Sequence, residues 1–168
     1  INGKLAFVDY LRKALPILWH CKGYDIVQLS HPMFLSLRGC HMKPFYNFIR
    51  RNNGKIVMCS VGEDFHILDQ ILNKNILRYS EQRVGNEIME NDNVHYVRDI
   101  YLHDSAANYC KYVAKDCDAI AAVLYEYWTC YNNVYPEKLH FFPLPVVMEN
   151  MDSQEYSVSE KVRLFIGL

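Results

Sequence analysis

The sequence contains no long hydrophobic run. The longest unbroken apolar stretch, residues 119–125, is far shorter than the ~20 residues that a membrane-spanning helix requires. A transmembrane segment is therefore not expected.

The chain also lacks an excess of charge of either sign. Eighteen lysines and arginines oppose nineteen aspartates and glutamates, giving a formal net charge of -1, and no long basic block occurs. Proteins that bind nucleic acid through its phosphates usually carry a basic patch or stripe. Nucleic acid is thus excluded as the main partner.

Paired cysteine motifs are absent, although the chain has six cysteines. None forms a Cys-x-x-Cys spacing, and the neighbours His20-Cys21 and Cys40-His41 cannot easily aim both side chains at one metal from a regular element. The first residues do not have the pattern of a secretory signal peptide. We expect reduced thiols, no bound metal and no cofactor.

What the chain does have is a series of helix–glycine–strand units. Leu5, Val8, Leu11 and Leu15 recur at helical spacing, and Gly23 separates this helix from an apolar strand. With 51% apolar residues, such units favour a parallel sheet covered by helices. The fold class expected is α/β, a Rossmann-like open sheet, with strands at residues 24–30, 55–61, 119–123 and 138–142.

The intervening segments are less regular. A helix is predicted around residues 67–72, residues 78–93 are read as an irregular insertion, and Ser105 is predicted to cap a helix that continues to about residue 115. A further helix begins at Tyr125. The polar segment 149–161 has the composition of a connector.

In an open parallel sheet, ligands bind outside the carboxyl ends of the strands, so the residues that follow each strand are the candidates for a site. Hydroxyl, imidazole, carboxylate and aromatic groups occur there, and this set suits a hydroxyl-rich ligand such as a sugar. The predicted binding residues are Ser30, His31, Gly62, Glu63, Asp64, Tyr125 and Glu126, with Asp64 and His66 as the candidates for catalysis.

Five of these residues also have a structural interpretation. Glu63, Asp64 and Glu126 could cap the helices that follow them, and His31 could bond to the backbone of its own loop. His66 is expected to be a helix-surface or half-buried imidazole, and the tyrosine pairs at helical spacing are expected to pack at the edge of the core. These pairs are Tyr109 with Tyr112 and Tyr127 with Tyr131.

The order of four short motifs resembles the N-terminal domain of bacterial family 4 glycosyltransferases, which have the GT-B architecture. The motifs are Tyr24-Asp25-Ile26-Val27, Gly54-Lys55-Ile56-Val57, Asp116-Cys117-Asp118-Ala119-Ile120, and Lys138-Leu139-His140-Phe141-Phe142-Pro143. Each motif is short, and their order and spacing carry the resemblance.

The resemblance implies the acceptor-side half of an enzyme of polysaccharide biosynthesis, which transfers a sugar from a nucleotide-sugar donor to a carbohydrate or lipid-linked acceptor. It implies a cytoplasmic location, with peripheral association at the inner face of the membrane. Residues 1–147 would form the acceptor-side domain, 148–161 an interdomain linker, and 162–168 the first strand of the donor domain.

Two departures from the family pattern lead to further expectations. No glycine-rich loop precedes Ile1, so the first strands of the sheet are expected to be missing and the strand at residues 24–30 to form an exposed edge that supports a homodimer. The resemblance implies that the donor-binding glutamates of the family would belong to a domain that starts only after Leu168. The chain alone is therefore expected to be inactive.

The alternative is a non-catalytic module of the same fold, either flavodoxin-like or receiver-like, that binds a ligand or partner. A receiver domain needs an acidic pair after its first strand and an aspartate after its third. A flavin site needs a phosphate-binding loop rich in serine, threonine and glycine. Neither pattern occurs here.

Overall fold

The computed structural model describes residues 3–35 and 37–143, which form an α/β fold around a four-stranded parallel sheet. The strands, in chain order, are β1 (Ile26–Leu29), β2 (Lys55–Ser60), β3 (Tyr79–Ser80), β4 (Arg83–Val84), β5 (Glu87–Ile88), β6 (Ala119–Ala122) and β7 (Leu139–Phe141). The helices are α1 (Gly3–His20), α2 (Gly39–Asn52), α3 (Phe65–Leu72), α4 (Asp92–Tyr101), α5 (Asp104–Asp116) and α6 (Tyr125–Asn132), followed by a 3-10 turn at Pro136–Lys138.

The main sheet has the strand order β1-β2-β6-β7, and every neighbouring pair is parallel. Ile56 pairs with Val27, Met58 pairs with Ile120, and Ile120 pairs with Leu139 on the far side. The open parallel sheet expected from the sequence is confirmed, although each strand is shorter than predicted. Backbone pairing between the strands ends before the apolar pattern of the sequence does.

The core lies between one face of this sheet and the helices. Side chains of a strand alternate between its faces, so Leu29, Ile56, Met58 and Ile120 point to the same side. They join one buried cluster with side chains of α2, α3, α5 and α6. These helix residues are Met42, Tyr46, Ile49, Ile67, Ile71, Tyr109, Val113, Ala114, Cys130 and Tyr131.

Two glycines are required by close packing of the backbone. A Cβ atom on Gly39, at the start of α2, would lie 2.1 Å from the carbonyl oxygen of Ser105 in α5. A Cβ atom on Gly54 would lie 2.3 Å from the carbonyl oxygen of Asp25, where the chain enters β2 beside β1. Both distances are far inside van der Waals contact, so any larger residue forces these elements apart.

A polar network ties the amino-terminal end of the sheet together. Asp118 accepts hydrogen bonds from the backbone N–H of Ile56 at 2.7 Å and from the Arg50 guanidinium at 2.5 Å. Arg50 also contacts Asp116 at 3.3 Å, and Asp116 accepts from the Tyr46 hydroxyl at 2.8 Å. The Asp116-Cys117-Asp118 motif therefore joins α2 to the start of β2, at the end of the sheet opposite the predicted site.

The segment predicted as an irregular insertion is ordered, which corrects that prediction. Strands β3, β4 and β5 form a small antiparallel sheet, in which Ser80 pairs with Arg83 and Val84 pairs with Glu87. Two-residue strands are too short to show an alternating pattern. The Gly85-Asn86 pair between Val84 and Glu87 is nevertheless a hairpin signal, and Gly85 has a φ of +61°.

Helix α4 lies partly within the same segment and was not predicted. Asn91 caps it by accepting a hydrogen bond from the backbone N–H of Val94 at 3.0 Å. The predicted cap of the next helix was wrong by two residues. His103, not Ser105, is the N-cap of α5, and its ring accepts a hydrogen bond from the Ser105 N–H at 3.3 Å.

Strand β1 is at one end of the sheet order, and within the described residues it pairs with β2 alone. Ile26 at its start is 62% exposed. An edge strand at this position agrees with the prediction, while a homodimer through it stays a prediction. The predicted linker at 148–161 and strand at 162–168 lie outside the described residues.

No helix in the described part of the chain is long and apolar enough to cross a membrane.

Cys59, Cys110, Cys117 and Cys130 are free thiols, and all four are buried.

Candidate functional site

The loops that follow β1 and β2 meet at the carboxyl end of the sheet, where the site was predicted. His31 joins them. Its Nδ1 accepts a hydrogen bond from the backbone N–H of Met33 at 3.0 Å, so the proton is on Nε2, which donates to the carbonyl oxygen of Glu63 at 3.0 Å. The ring also packs against Tyr101. Both nitrogens are therefore occupied, and the geometry favours the loop-bonding interpretation of His31.

A cavity of about 450 Å³ opens beside this junction and is the candidate site. Carboxylates and hydroxyl-bearing side chains from three segments form its polar wall. They are Glu63, Glu126, Tyr127, Tyr79, Ser80 and Glu81. Its volume lies within the range of small-molecule sites, which is about 300–1,000 Å³.

The floor of the cavity is apolar and continuous with the core. Ile67 and Ile71 of α3 form it together with Leu77, and both isoleucines are also part of the buried core. Polar groups above an apolar floor can orient a ligand that presents hydroxyl or amino groups on one side and C–H groups on the other.

The charges in the cavity are all negative. Burial raises the pKa of Glu63, its hydrogen bond from Gln82 lowers it, and the nearby Glu81 carboxylate raises it. Burial also raises the pKa of Tyr127, and Glu126, Glu63 and Glu81 add to that rise. The tyrosine hydroxyl is therefore a persistent hydrogen-bond donor at neutral pH.

The small antiparallel sheet is held against the site by two buried side chains. The Gln82 amide donates to the Glu63 carboxylate at 2.9 Å. The Arg83 guanidinium donates to the carbonyl oxygen of Leu72 at 2.8 Å, at the last residue of α3, where a helix dipole favours positive charge. These contacts place Tyr79, Ser80 and Glu81 in the cavity wall.

Asp64 is the last residue of the turn between β2 and α3, and it is 0% exposed. Its Oδ1 accepts from the backbone N–H of Ile67 at 3.0 Å, which makes it the N-cap of α3, and its Oδ2 accepts from the buried Tyr131 hydroxyl at 2.5 Å. The carboxylate is thus enclosed by protein on both oxygens. The geometry favours the capping interpretation, which the sequence left level with the functional one.

His66 is buried in α3, with only 5% of its surface exposed, and it is not part of the cavity wall. Its ring packs against Phe65, Tyr131 and Tyr135, and its Nε2 has no hydrogen-bond partner among the residues that the structure describes. Burial lowers its pKa, and the Asp64 carboxylate opposes this shift. The imidazole is more buried than the half-buried position that we predicted.

Three other predicted residues do not line this cavity. Ser30 borders a separate apolar groove between α1 and β1. Gly62 faces open space, since a Cβ atom there would have no neighbour within 4 Å. Tyr125 is 68% exposed and stacks on Trp128. Of the predicted binding residues, the structure brings Glu63 and Glu126 together in the cavity wall.

Sequence reasoning missed the other polar wall residues. Tyr79, Ser80 and Glu81 belong to the segment predicted as irregular. Tyr127 packs partly buried against the core, as expected, and it also borders the cavity, which was not predicted. Tyr131, expected at the same core edge, is fully buried. The Gly85-Asn86 hairpin signal could have revealed that this segment folds back onto the sheet.

No metal site is formed by the residues that the structure describes. Within 3–35 and 37–143, no three His, Cys, Asp or Glu side chains lie close enough to hold an ion. The fold and site together define a Rossmann-like α/β protein with an acidic, tyrosine-lined crevice at the carboxyl ends of its strands.

Comparison of the chain with protein-family models, with curated proteins and with solved structures gave no match. Any proposal on function therefore depends on the crevice and on the sequence motifs.

Proposed function

We propose that this chain forms the acceptor-binding side of a glycosyltransferase that transfers a sugar from a nucleotide-sugar donor to a carbohydrate or lipid-linked acceptor in polysaccharide biosynthesis. The observation that carries the proposal is the crevice at the carboxyl end of the sheet, with its carboxylates and tyrosines above an apolar floor. Carboxylates accept hydrogen bonds from sugar hydroxyls, and aromatic faces pack against the C–H face of a sugar ring.

The role of this chain would be to position the acceptor rather than to perform the chemistry alone. Sugar transfer requires that the acceptor hydroxyl be held near the donor carbon and that the departing diphosphate be stabilised. No basic side chain lines the crevice among the described residues, so this half is not suited to hold a diphosphate. The donor would be bound mainly by a second domain, as the family resemblance implies.

A binding experiment tests the proposal. The 15N-labelled chain is titrated with a panel of mono- and oligosaccharides and with nucleotide sugars, and amide shifts are followed by NMR. We expect saccharides to shift resonances around Glu63, Ser80 and Tyr127. Nucleotide sugars should bind weakly or not at all.

A matched pair of variants controls for nonspecific effects. Tyr127→Ala should weaken saccharide binding by about twofold to tenfold, because an aromatic contact contributes about 0.5–1.5 kcal/mol. Tyr125→Ala removes an equally large ring outside the cavity and should leave binding unchanged. The proposal fails if no saccharide binds, or if a nucleotide sugar binds at micromolar affinity or tighter.

A further inference from the structure

Charge is divided unevenly along the chain, although the whole chain is close to neutral. Residues 1–55 contain nine lysines and arginines but only two acidic residues, whereas residues 56–168 contain nine basic and seventeen acidic residues. The formal charges of the two parts are therefore +7 and -8. Such an asymmetry is typical of proteins that bind an anionic surface through one part of the chain. The basic part includes α1, β1 and α2.

The outer side of α1 presents apolar side chains to solvent. Val8, Leu15 and Trp19 are each more than half exposed. Their spacing of seven and four residues places them in one stripe along the helix. Leu18, and Leu11 in part, pack into the core on the other side. Helix α1 is thus apolar on two sides, and the described residues leave its outer stripe open to solvent.

Basic side chains surround the Trp19 end of this stripe. The Trp19 ring stacks on Phe48 of α2, with 6.2 Å between the ring centroids, and the Lys22 ammonium lies 3.9 Å from the Trp19 centroid. Phe48 also lines an open groove with Lys43 and Arg51, and the described residues of its lining include no acidic one. We define the α1–α2 face as Leu15, Trp19, Lys22, Lys43, Phe48 and Arg51.

The positive charges of the α1–α2 face are exposed and unneutralised. Lys22, Lys43 and Arg51 are all exposed to solvent. Within the part of the chain that the structure describes, none of the three forms an ion pair. Arg50, by contrast, is paired with Asp116 and Asp118 at the end of the sheet. The three cations of the face are therefore available to a partner with negative charge.

We infer that the α1–α2 face docks on an anionic lipid bilayer. Lysine and arginine are attracted by the negative potential of anionic headgroups, and an indole ring is stable at the headgroup level because it is apolar with one polar edge. Lys22 lies directly over the Trp19 ring, so both attractions act in one orientation of the protein. In that orientation the apolar stripe of α1 faces the acyl boundary, as in helices that lie in a membrane interface.

A second copy of the chain fits this face less well. A twofold dimer would place the face against itself, so that its three cations would lie opposite the same three cations of the other copy. Like charges repel, and the six residues of the face include no carboxylate to offset them. The inference also goes beyond the proposed function, since no residue of the face lines the crevice.

Vesicle co-sedimentation tests the inference. The chain is mixed with phosphatidylcholine vesicles and with vesicles in which one lipid in three is phosphatidylglycerol. We expect at least about tenfold tighter binding to the anionic vesicles, and loss of that binding as salt rises from about 50 to about 500 mM. The chain has two tryptophans, so in a Trp128→Phe background the Trp19 emission should shift to shorter wavelength on binding.

Matched variants locate the surface. The double variant Lys43→Gln, Arg51→Gln should weaken binding by about 25-fold, since each basic residue near an anionic surface contributes about fivefold. The double variant Lys74→Gln, Arg78→Gln makes the same change of charge in the loop after α3 and should leave binding within about twofold. Trp19→Ala should weaken binding by about tenfold through lost apolar burial. Thermal unfolding of each variant confirms that it is folded.

The outcomes that overturn the inference are distinct. They are no binding to either vesicle, equal binding to both, or an equal loss in the two double variants. Equally tight binding of single-stranded RNA or of poly-L-glutamate also overturns it, because the face would then bind polyanions without a membrane. Saccharide binding is measured separately, so none of these results decides the proposed function.

Discussion

Asp64 provides the sharpest test of how this site is built, because its two oxygens each have one defined partner. Asp64→Ala removes the N-cap of α3, which costs about 1 kcal/mol. It also leaves the buried hydroxyl of Tyr131 without its acceptor, at a cost of about 1–3 kcal/mol. The free energy of unfolding should therefore fall by about 2–4 kcal/mol, and Tm by roughly 4–16 °C for a domain of this size.

The assay is urea unfolding followed by circular dichroism, on the wild type, Asp64→Ala, Tyr131→Phe and the double variant. The double variant leaves neither the Tyr131 hydroxyl nor the Asp64 carboxylate without its partner, so it should lose less than the sum of the single losses, by at least about 1 kcal/mol. Asp64→Asn keeps an oxygen for the Ile67 N–H and should cost less than Asp64→Ala.

The reasoning is refuted if Asp64→Ala stays within about 0.5 kcal/mol of the wild type, or if the two single losses are additive. Either result would mean that the carboxylate does not support the turn, and Asp64 would return as a candidate for contact with a substrate.

Two further variants test the backbone approach and the polar network. Gly39→Ala should lower the free energy of unfolding by about 1–3 kcal/mol, since its Cβ would collide with the Ser105 carbonyl. Gly62→Ala, whose Cβ meets nothing within 4 Å, should leave stability unchanged. Equal urea midpoints for the two variants would contradict this reasoning. The hydrogen bond from Arg50 holds the pKa of Asp118 below its usual value in the folded protein. The stability that the ionised Asp118 contributes is therefore present above its unfolded-state pKa and is lost as the pH falls through its folded-state pKa. Asp118→Asn should therefore be less stable than the wild type at pH 7 and approach it below about pH 4 in urea titrations; a pH-independent difference would contradict the assignment.

Local patterns in the sequence were enough to predict the main sheet. The strands around Val27, Ile56, Ile120 and Leu139 are apolar and separated by helices, and parallel strands buried against helices produce this pattern. The pattern also located the turns at the carboxyl ends of the strands, since topology places them at one edge of the sheet.

The composition of the site was harder to predict, because it depends on contacts between distant segments. Glu63 and Gln82 are nineteen residues apart, and Asp64 and Tyr131 are sixty-seven apart. No local pattern indicates that such pairs will meet, or whether a carboxylate at a strand end will face the cavity or be buried under it.

The sequence by itself determined the α/β class, the parallel pairing and the edge of the sheet at which the candidate crevice lies, because hydrophobic periodicity and chain order act locally. The tertiary structure alone decided that Glu63 and Glu126 face a shared cavity while Asp64 is buried as a cap. It also decided that the segment carrying Tyr79 and Glu81 completes that cavity, because the packing of Arg83 and Gln82 sets where the small sheet lies.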